Sequence, residues 1–202
     1  MWVFFKNIFT FKVNRKLFYD ENFWITIPHP YALEILNLSK RENIKIIPKA
    51  VGNVNGKIKF EKGHYVNSLA SNVVLQNNEV NNEDIIEVEI ISLDKFCEEL
   101  NILPHFIKID VEKIELEVLE GALNVLKTYF PILSLEFYFD EKFEYYKRIF
   151  YFLLYNGYEG FEIKFNGTLN KILDINNFRN NCLPKIIFDN LVFKKNENFP
   201  NF

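Results

Sequence analysis

The sequence predicts an α/β fold built on a mostly parallel sheet, with an antiparallel pair of strands near the C-terminus. Short apolar runs alternate with longer amphipathic segments through the middle of the 202-residue chain, as in parallel βαβ units. Nearly half of the residues are hydrophobic, with 22 Phe and 10 Tyr, which is enough apolar surface for a substantial core. Because no repeat or linker interrupts the pattern, we expect one domain over residues 1–202.

The first third of the chain predicts strands separated by a helix. Residues 1–13 are apolar but contain two lysines, and they fall short of the ~20 apolar residues that a membrane-spanning helix needs, so we expect a strand or packed segment. Residues 23–27 predict a strand followed by two prolines, and residues 31–41 a helix with one apolar face. Residues 44–51 predict the next strand, and residues 57–60 a half-exposed strand.

The middle of the chain gives a loop, a strand and a capped helix. Residues 76–84 are rich in Asn and acidic side chains and predict a solvated loop. Residues 85–91 alternate apolar and acidic side chains, which predicts a strand with its glutamates exposed. Ser92 is a suitable N-cap for a helix over residues 93–100.

A strand over residues 106–111 runs directly into a long amphipathic helix. Glu115 and Glu120 are expected on the solvated side of that helix. Lys108 is expected to be an edge charge whose stem packs on apolar neighbours. The apolar face of the helix is predicted to contain Ile114, Val118, Ala122 and Val125.

The C-terminal part of the chain predicts three further strands and one helix. Residues 131–137 form a strand, and residues 143–155 a helix that ends before Gly157. Residues 158–165 and 186–194 are expected to form the closing antiparallel pair.

Composition excludes several classes of function. The formal net charge is −3 and only four arginines are present, which argues against a nucleic-acid partner. Cys97 and Cys182 lie far apart with no C-x-x-C motif, so we expect reduced thiols, no metal site and no disulfide framework. The N-terminus lacks the features of a secretion signal, and we expect a cytoplasmic protein.

Two acidic residues are the first candidates for chemistry. Asp110 and Glu112 follow the apolar core of the 106–111 strand, and open α/β sheets bind ligands at the carboxyl ends of their strands. A carboxylate there can accept a proton from a reacting hydroxyl. His29, at a predicted strand-to-helix corner, is a candidate polar contact to a ligand.

The segment KIDVEKIELEVLEGA, residues 108–122, resembles the signature of the FkbM family of S-adenosylmethionine-dependent methyltransferases. Other segments resemble the family in the same order along the chain. They are IPHPYALEIL at 27–36, PKAVGNVNG at 48–56, SLDKF at 92–96 and DNLVF at 189–193.

This resemblance implies a Rossmann-like methyltransferase sheet and O-methylation of a sugar or another small-molecule hydroxyl, with S-adenosyl-L-methionine as cofactor. It implies a catalytic role for Asp110 and Glu112. The residues expected at the cofactor are His29, Ala50, Val51 and Ser68.

The chain departs from the family pattern at the expected cofactor site and, at Lys113, within the signature. No glycine precedes Gly52, so the glycine-rich loop is absent, and Ile27 and Lys113 replace the family's Glu and Gly. The first βα unit is therefore expected to be missing or divergent within residues 1–23. Two alternatives to an active enzyme stay open: a non-catalytic interaction module and a truncated, inactive fragment. A lost first strand would leave an open sheet edge, through which the chain could form a homo-oligomer.

Overall fold

The computed structural model describes residues 2–6, 23–26, 44–47, 49–61, 72–73, 85–111, 114–182 and 188–199. The predicted helix at 31–41 and the predicted loop at 76–84 lie outside these residues. The strands are β1 (Trp2–Lys6), β2 (Phe23–Thr26), β3 (Ile44–Ile47), β4 (Ala50–Gly52), β5 (Gly56–Glu61), β6 (Asn72–Val73), β7 (Ile85–Ser92), β8 (Phe106–Asp110), β9 (Ile132–Tyr138), β10 (Tyr158–Ile163), β11 (Leu169–Lys171) and β12 (Phe188–Lys195). The helices are α1 (Leu93–Glu99), α2 (Glu115–Glu120), α3 (Leu123–Tyr129), α4 (Phe143–Tyr155) and α5 (Ile175–Cys182).

Eight strands form a large sheet in the order β11-β10-β12-β9-β8-β1-β2-β3. The neighbours from β9 to β3 are parallel, whereas β12 is antiparallel to both β9 and β10. The predicted closing pair is thus confirmed, and β10 is also antiparallel to β11, which the sequence analysis missed. The expectation of a mostly parallel sheet is not confirmed, because both sheets of the molecule are mixed.

The first strand is present and central. Trp2–Lys6 lies between β8 and β2 and is parallel to both. The strand is therefore not missing, in agreement with the strand or packed segment expected over residues 1–13, and the edge that its loss would expose is covered. Residues 7–22, which follow it, lie outside the described residues.

A small second sheet has the order β4-β7-β5-β6. The predicted strand over residues 44–51 is divided between the sheets, and the N–H of Lys49 donates to the carbonyl of Ile47 at 2.9 Å where the division occurs. The proline between them in sequence has no N–H for a strand ladder, which explains the break. In β7 the predicted alternation is confirmed, since Glu87 and Glu89 are exposed.

The apolar face of the large sheet packs against α4, and this contact forms much of the core. The ring of Phe137 lies 5.4 Å from that of Tyr146, and the ring of Phe193 lies 5.7 Å from that of Phe150. The helix has the predicted bounds and ends at Gly157, whose φ of +88° is readily adopted only by glycine. No helix in the described part of the chain has the length and apolar character needed to span a membrane.

The predicted long helix after β8 is two short helices, α2 and α3, that meet at Gly121. The backbone of Gly121 lies so close to β4 that a Cβ added to Gly121 would be 2.0 Å from the carbonyl oxygen of Gly52. The carbonyl of Gly121 also accepts a hydrogen bond from the N–H of Asp94 at 2.9 Å. Val118, Ala122 and Val125 are nevertheless buried, and Ile114 is partly buried and packs against the core, because both helices keep the same side toward the sheet.

Asp94 caps α3 from a different helix. Its carboxylate accepts hydrogen bonds from the N–H groups of Asn124 at 3.0 Å and Val125 at 2.9 Å, both in the first turn of α3. The negative charge also complements the helix dipole. The predicted cap of α1 is confirmed, since the hydroxyl of Ser92 accepts from the N–H of Lys95.

Replacing Gly121 with Ala should destabilise the fold by about 1–3 kcal/mol, because the new methyl group meets backbone that cannot rotate away. Urea denaturation would measure the change in the free energy of unfolding. Gly52→Ala is the matched control, since its Cβ meets the terminal carbon of Ile90, which can move. Equal losses for the two variants would contradict this account.

Replacing Asp94 with Ala should cost about 1–2 kcal/mol, because two N–H groups at the start of α3 lose their acceptor. Thermal and urea denaturation of the variant would test this loss. Glu98 is an exposed acid on the same helix, and the stability of Glu98→Ala should stay close to that of the parent protein. A stability of Asp94→Ala equal to that of the control would show that the cap contributes nothing.

Candidate functional site

The order in which strands are added to the large sheet reverses between β1 and β8. From β1 the order continues through β2 and β3 on one side, whereas β8 and β9 follow on the other. In open α/β sheets such a switch point, at the carboxyl ends of the strands, is where ligands bind. Asp110 is the last residue of β8 and pairs in register with Lys6, the last residue of β1. The sequence-predicted acid therefore ends a strand at this switch point.

The charge of Asp110 has a cationic neighbour. The Nζ of Lys108 lies 4.0 Å from Oδ2 of Asp110 and donates a hydrogen bond to Oδ1 of Asn190 on β12. The two charged side chains are 17% and 22% exposed, so solvent only partly screens them. Lys108 belongs to an inner strand of the sheet, and the expectation that it is an edge charge is wrong.

Glu136 adds a second carboxylate at the same level of the sheet. Ile109 pairs with Leu135 on β9, and Asp110 and Glu136 are the next residues of the two strands. Glu136 in turn pairs with Asn190 on β12. Since neighbouring strands are ~4.8 Å apart, these side chains share one face within a short distance. We call Lys108, Asp110, Glu136 and Asn190 the polar row.

The sequence analysis missed Glu136 and Asn190 as site residues. Each is a half-buried polar residue within a strand whose neighbours along the chain are mostly apolar. A polar side chain at such a position loses hydration unless it has a partner, which is a signal that can be read from sequence. They lie near Lys108, however, only because of the order of the strands in the sheet, and that order cannot be read from the sequence of any single strand.

Glu115 is buried, which corrects the expectation of a solvated position. Its side chain is 3% exposed in the first turn of α2, where a negative charge is favoured by the helix dipole. The hydroxyl of Tyr145 on α4 lies beside this turn and accepts a hydrogen bond from the N–H of Leu116 at 3.2 Å. Burial, and then the negative charge of Glu115, raises the pKa of Tyr145.

The other predicted site residues are Glu112, His29, Ser68, Ala50 and Val51. Glu112, His29 and Ser68 lie outside the described residues. Ala50 and Val51 belong to β4 in the small sheet, where they are 3% and 4% exposed. Their side chains are occupied in packing, so any contact of these two residues with a cofactor would involve their backbone.

A separate cavity of about 380 Å³ lies between α1 and α3. It is bordered by Asp94, Glu98 and the loop that leads into the amino end of β8, so it is remote from Asp110 at the carboxyl end. Cys97 borders it too, and burial raises the pKa of this thiol to about 12. Within the described residues, no group of three His, Cys, Asp or Glu side chains is arranged to hold a metal ion.

Residues 10–159 match the model of the methyltransferase FkbM domain. The chain belongs to the FkbM methyltransferase family. The structure of methyltransferase FkbM from Methylobacillus flagellatus KT is similar, with 16% sequence identity and a TM-score of 0.49. The similarity covers 86% of this chain but 36% of that one. No curated protein matches the chain in sequence.

The FkbM match includes every residue of the polar row except Asn190, which lies beyond residue 159 on β12. The last strand therefore supplies a side chain that bonds to Lys108 inside the matched region. The signature motif and the C-terminal strands are thus joined in one structural unit.

Raising the pH above ~10 should destabilise the protein, partly through Tyr145. Its raised pKa means that the folded state keeps the neutral phenol, whereas the unfolded chain ionises near pH ~10. The contribution of Tyr145 to the free energy of unfolding is complete below that pH. It is lost as the pH rises toward the pKa of Tyr145 in the folded state, at up to about 1.4 kcal/mol per pH unit.

Tyr145→Phe should lessen this alkaline loss, as measured by urea denaturation at a series of pH values. Tyr155→Phe is the control, because Tyr155 is 84% exposed. The pKa of Tyr158 is also raised by burial, so the free energy of unfolding should still fall somewhat with rising pH in both variants. Identical pH profiles for the two variants would contradict the assignment to Tyr145.

Proposed function

We propose that this chain is an S-adenosylmethionine-dependent methyltransferase that methylates a hydroxyl group of a sugar or another small molecule. The observation that carries the proposal is the position of Asp110 at the switch point of the sheet, within an FkbM methyltransferase domain. The parallel strands β3, β2, β1, β8 and β9 support a Rossmann-like arrangement around that point, with the antiparallel strands added at one side.

Methyl transfer from a sulfonium to an oxygen is an in-line displacement, and the protein contributes mainly by holding the two reacting groups in line. Asp110 is placed to accept the proton of the acceptor hydroxyl as the new carbon–oxygen bond forms. Lys108 restrains this carboxylate, and Asn190 restrains Lys108 through a hydrogen bond. Glu136 offers a further hydrogen-bond acceptor for a polyhydroxyl substrate.

The cofactor would supply the methyl group. Ala50 and Val51 are packed in the interior and do not fit a side-chain platform for the adenine ring. We therefore assign the polar row to the acceptor side of the reaction. The competing hypothesis, a non-catalytic interaction module, is supported by the sequence alone, through Ile27, Lys113 and the absent glycine-rich loop.

Calorimetric titration with S-adenosylmethionine should give micromolar binding to the full chain. Methyl transfer should then be detected with tritium-labelled S-adenosylmethionine and a panel of methyl glycosides. Asp110→Asn should lower the rate about a hundredfold or more, because the amide cannot accept the proton, while the affinity for the cofactor stays close to that of the parent.

Glu99→Gln is the control, since this acid is exposed on α1 and forms only a 3.6 Å surface ion pair with Lys95. Cofactor binding without any loss of rate in Asp110→Asn would remove Asp110 from the chemistry. Failure of the parent protein to bind S-adenosylmethionine would instead favour the non-catalytic module.

A further inference from the structure

The hairpin formed by β10 and β11 lies at one edge of the large sheet. Among the described strands, β11 is the last in the sheet order, and all three of its residues are exposed. An edge strand presents unpaired N–H and C=O groups that can pair with a further strand.

Two hydrogen bonds define which backbone groups of β11 face its neighbour. The N–H of Lys164 donates to the carbonyl of Thr168 at 2.8 Å, and the N–H of Ile172 donates to the carbonyl of Gly160 at 2.9 Å. In an antiparallel pair the inward and outward groups alternate along a strand. Every second residue from 168 to 172 therefore bonds to β10.

The residues between them direct their backbone groups away from β10. They are Leu169 and Lys171, and Leu173 follows two residues after the end of β11. The accompanying side chains form an exposed apolar surface, because Leu169 is 42% and Leu173 is 87% exposed. Phe165 at the hairpin tip is fully exposed, and Ile163, which pairs with Leu169, is 43% exposed. Apolar residues gathered on one surface indicate an interaction site.

The charges on the hairpin are neutralised within it. The Nζ of Lys171 lies 2.6 Å from Glu159, and that of Lys164 lies 2.5 Å from Glu162. A lysine on an edge strand usually discourages pairing, but Lys171 is directed to its own chain. Two acids and two lysines leave residues 158–171 without net charge. Such a surface neither attracts an anionic membrane nor repels a second copy of itself.

We propose that β11 pairs antiparallel with β11 of a second copy, about a two-fold axis at Lys171. Leu169 and Leu173 are equally distant from Lys171, so each leucine lies opposite a leucine of the other copy. The two large sheets then form one continuous sheet, and each Lys171 at the axis keeps its ion pair with Glu159. This dimer is independent of the proposed methyl transfer.

Analytical ultracentrifugation of the full chain should show a mass that rises with concentration from 24.2 kDa toward twice that value. Leu173→Lys should weaken the association at least about tenfold, because each dimer loses two leucine contacts. Leu103→Lys is the matched control, since Leu103 is also exposed, at 53%, but lies away from the hairpin.

A second variant tests the register directly. Lys171→Cys places one thiol of each copy at the axis, and mild oxidation should give a disulfide-linked dimer, whereas Leu103→Cys should form no disulfide-linked dimer. Cys97 and Cys182 are buried and do not compete. The proposal would be overturned if the chain stayed monomeric at every concentration or if Leu173→Lys and Leu103→Lys had equal effects. It would also be overturned if the chain sedimented with anionic vesicles and did not self-associate.

Discussion

The close approach of two glycines, Gly121 and Gly52, connects the two sheets of the molecule. With the carbonyl of Gly52 so near, a side chain at position 121 has no room, and the helix behind β8 breaks there. Asp94 stabilises this break on the other side, through its own N–H to Gly121 and through its carboxylate to the start of α3. The small sheet, α1 and the two helices after the signature strand are therefore held by one group of backbone contacts.

The polar row is placed where a sheet interior would otherwise favour apolar side chains. Lys108 and Asp110 are each about one-fifth exposed, and groups that are this poorly hydrated need partners to remain charged. Such an arrangement is weak evidence for stability, because well-packed apolar residues in the same positions are often as favourable. Its location at the switch point instead agrees with a role in binding and chemistry.

The sequence predicted most strands and helices of the described part of the chain, because their signals are local. The alternating glutamates of β7, the serine cap of α1 and the glycine at the end of α4 each follow from residues within a few positions. The errors arose where distant contacts decide. Gly121 lies against Gly52, which is far away in sequence, and Glu115 lies near Tyr145, which is 30 residues further along the chain.

In the site, too, local sequence signals predicted one residue, whereas contacts between distant parts of the chain decided the others. Asp110 could be predicted because a motif places it at a strand end, whereas Glu136 and Asn190 join it only through the order β8-β9-β12. The departures from the family pattern, Ile27 and Lys113, lie outside the described residues. The polar row combines two carboxylates, a lysine and an amide only because the strands follow this sheet order. Since β1 occupies the centre of that sheet, the divergent N-terminal segment still contributes the strand on which the position of Asp110 depends.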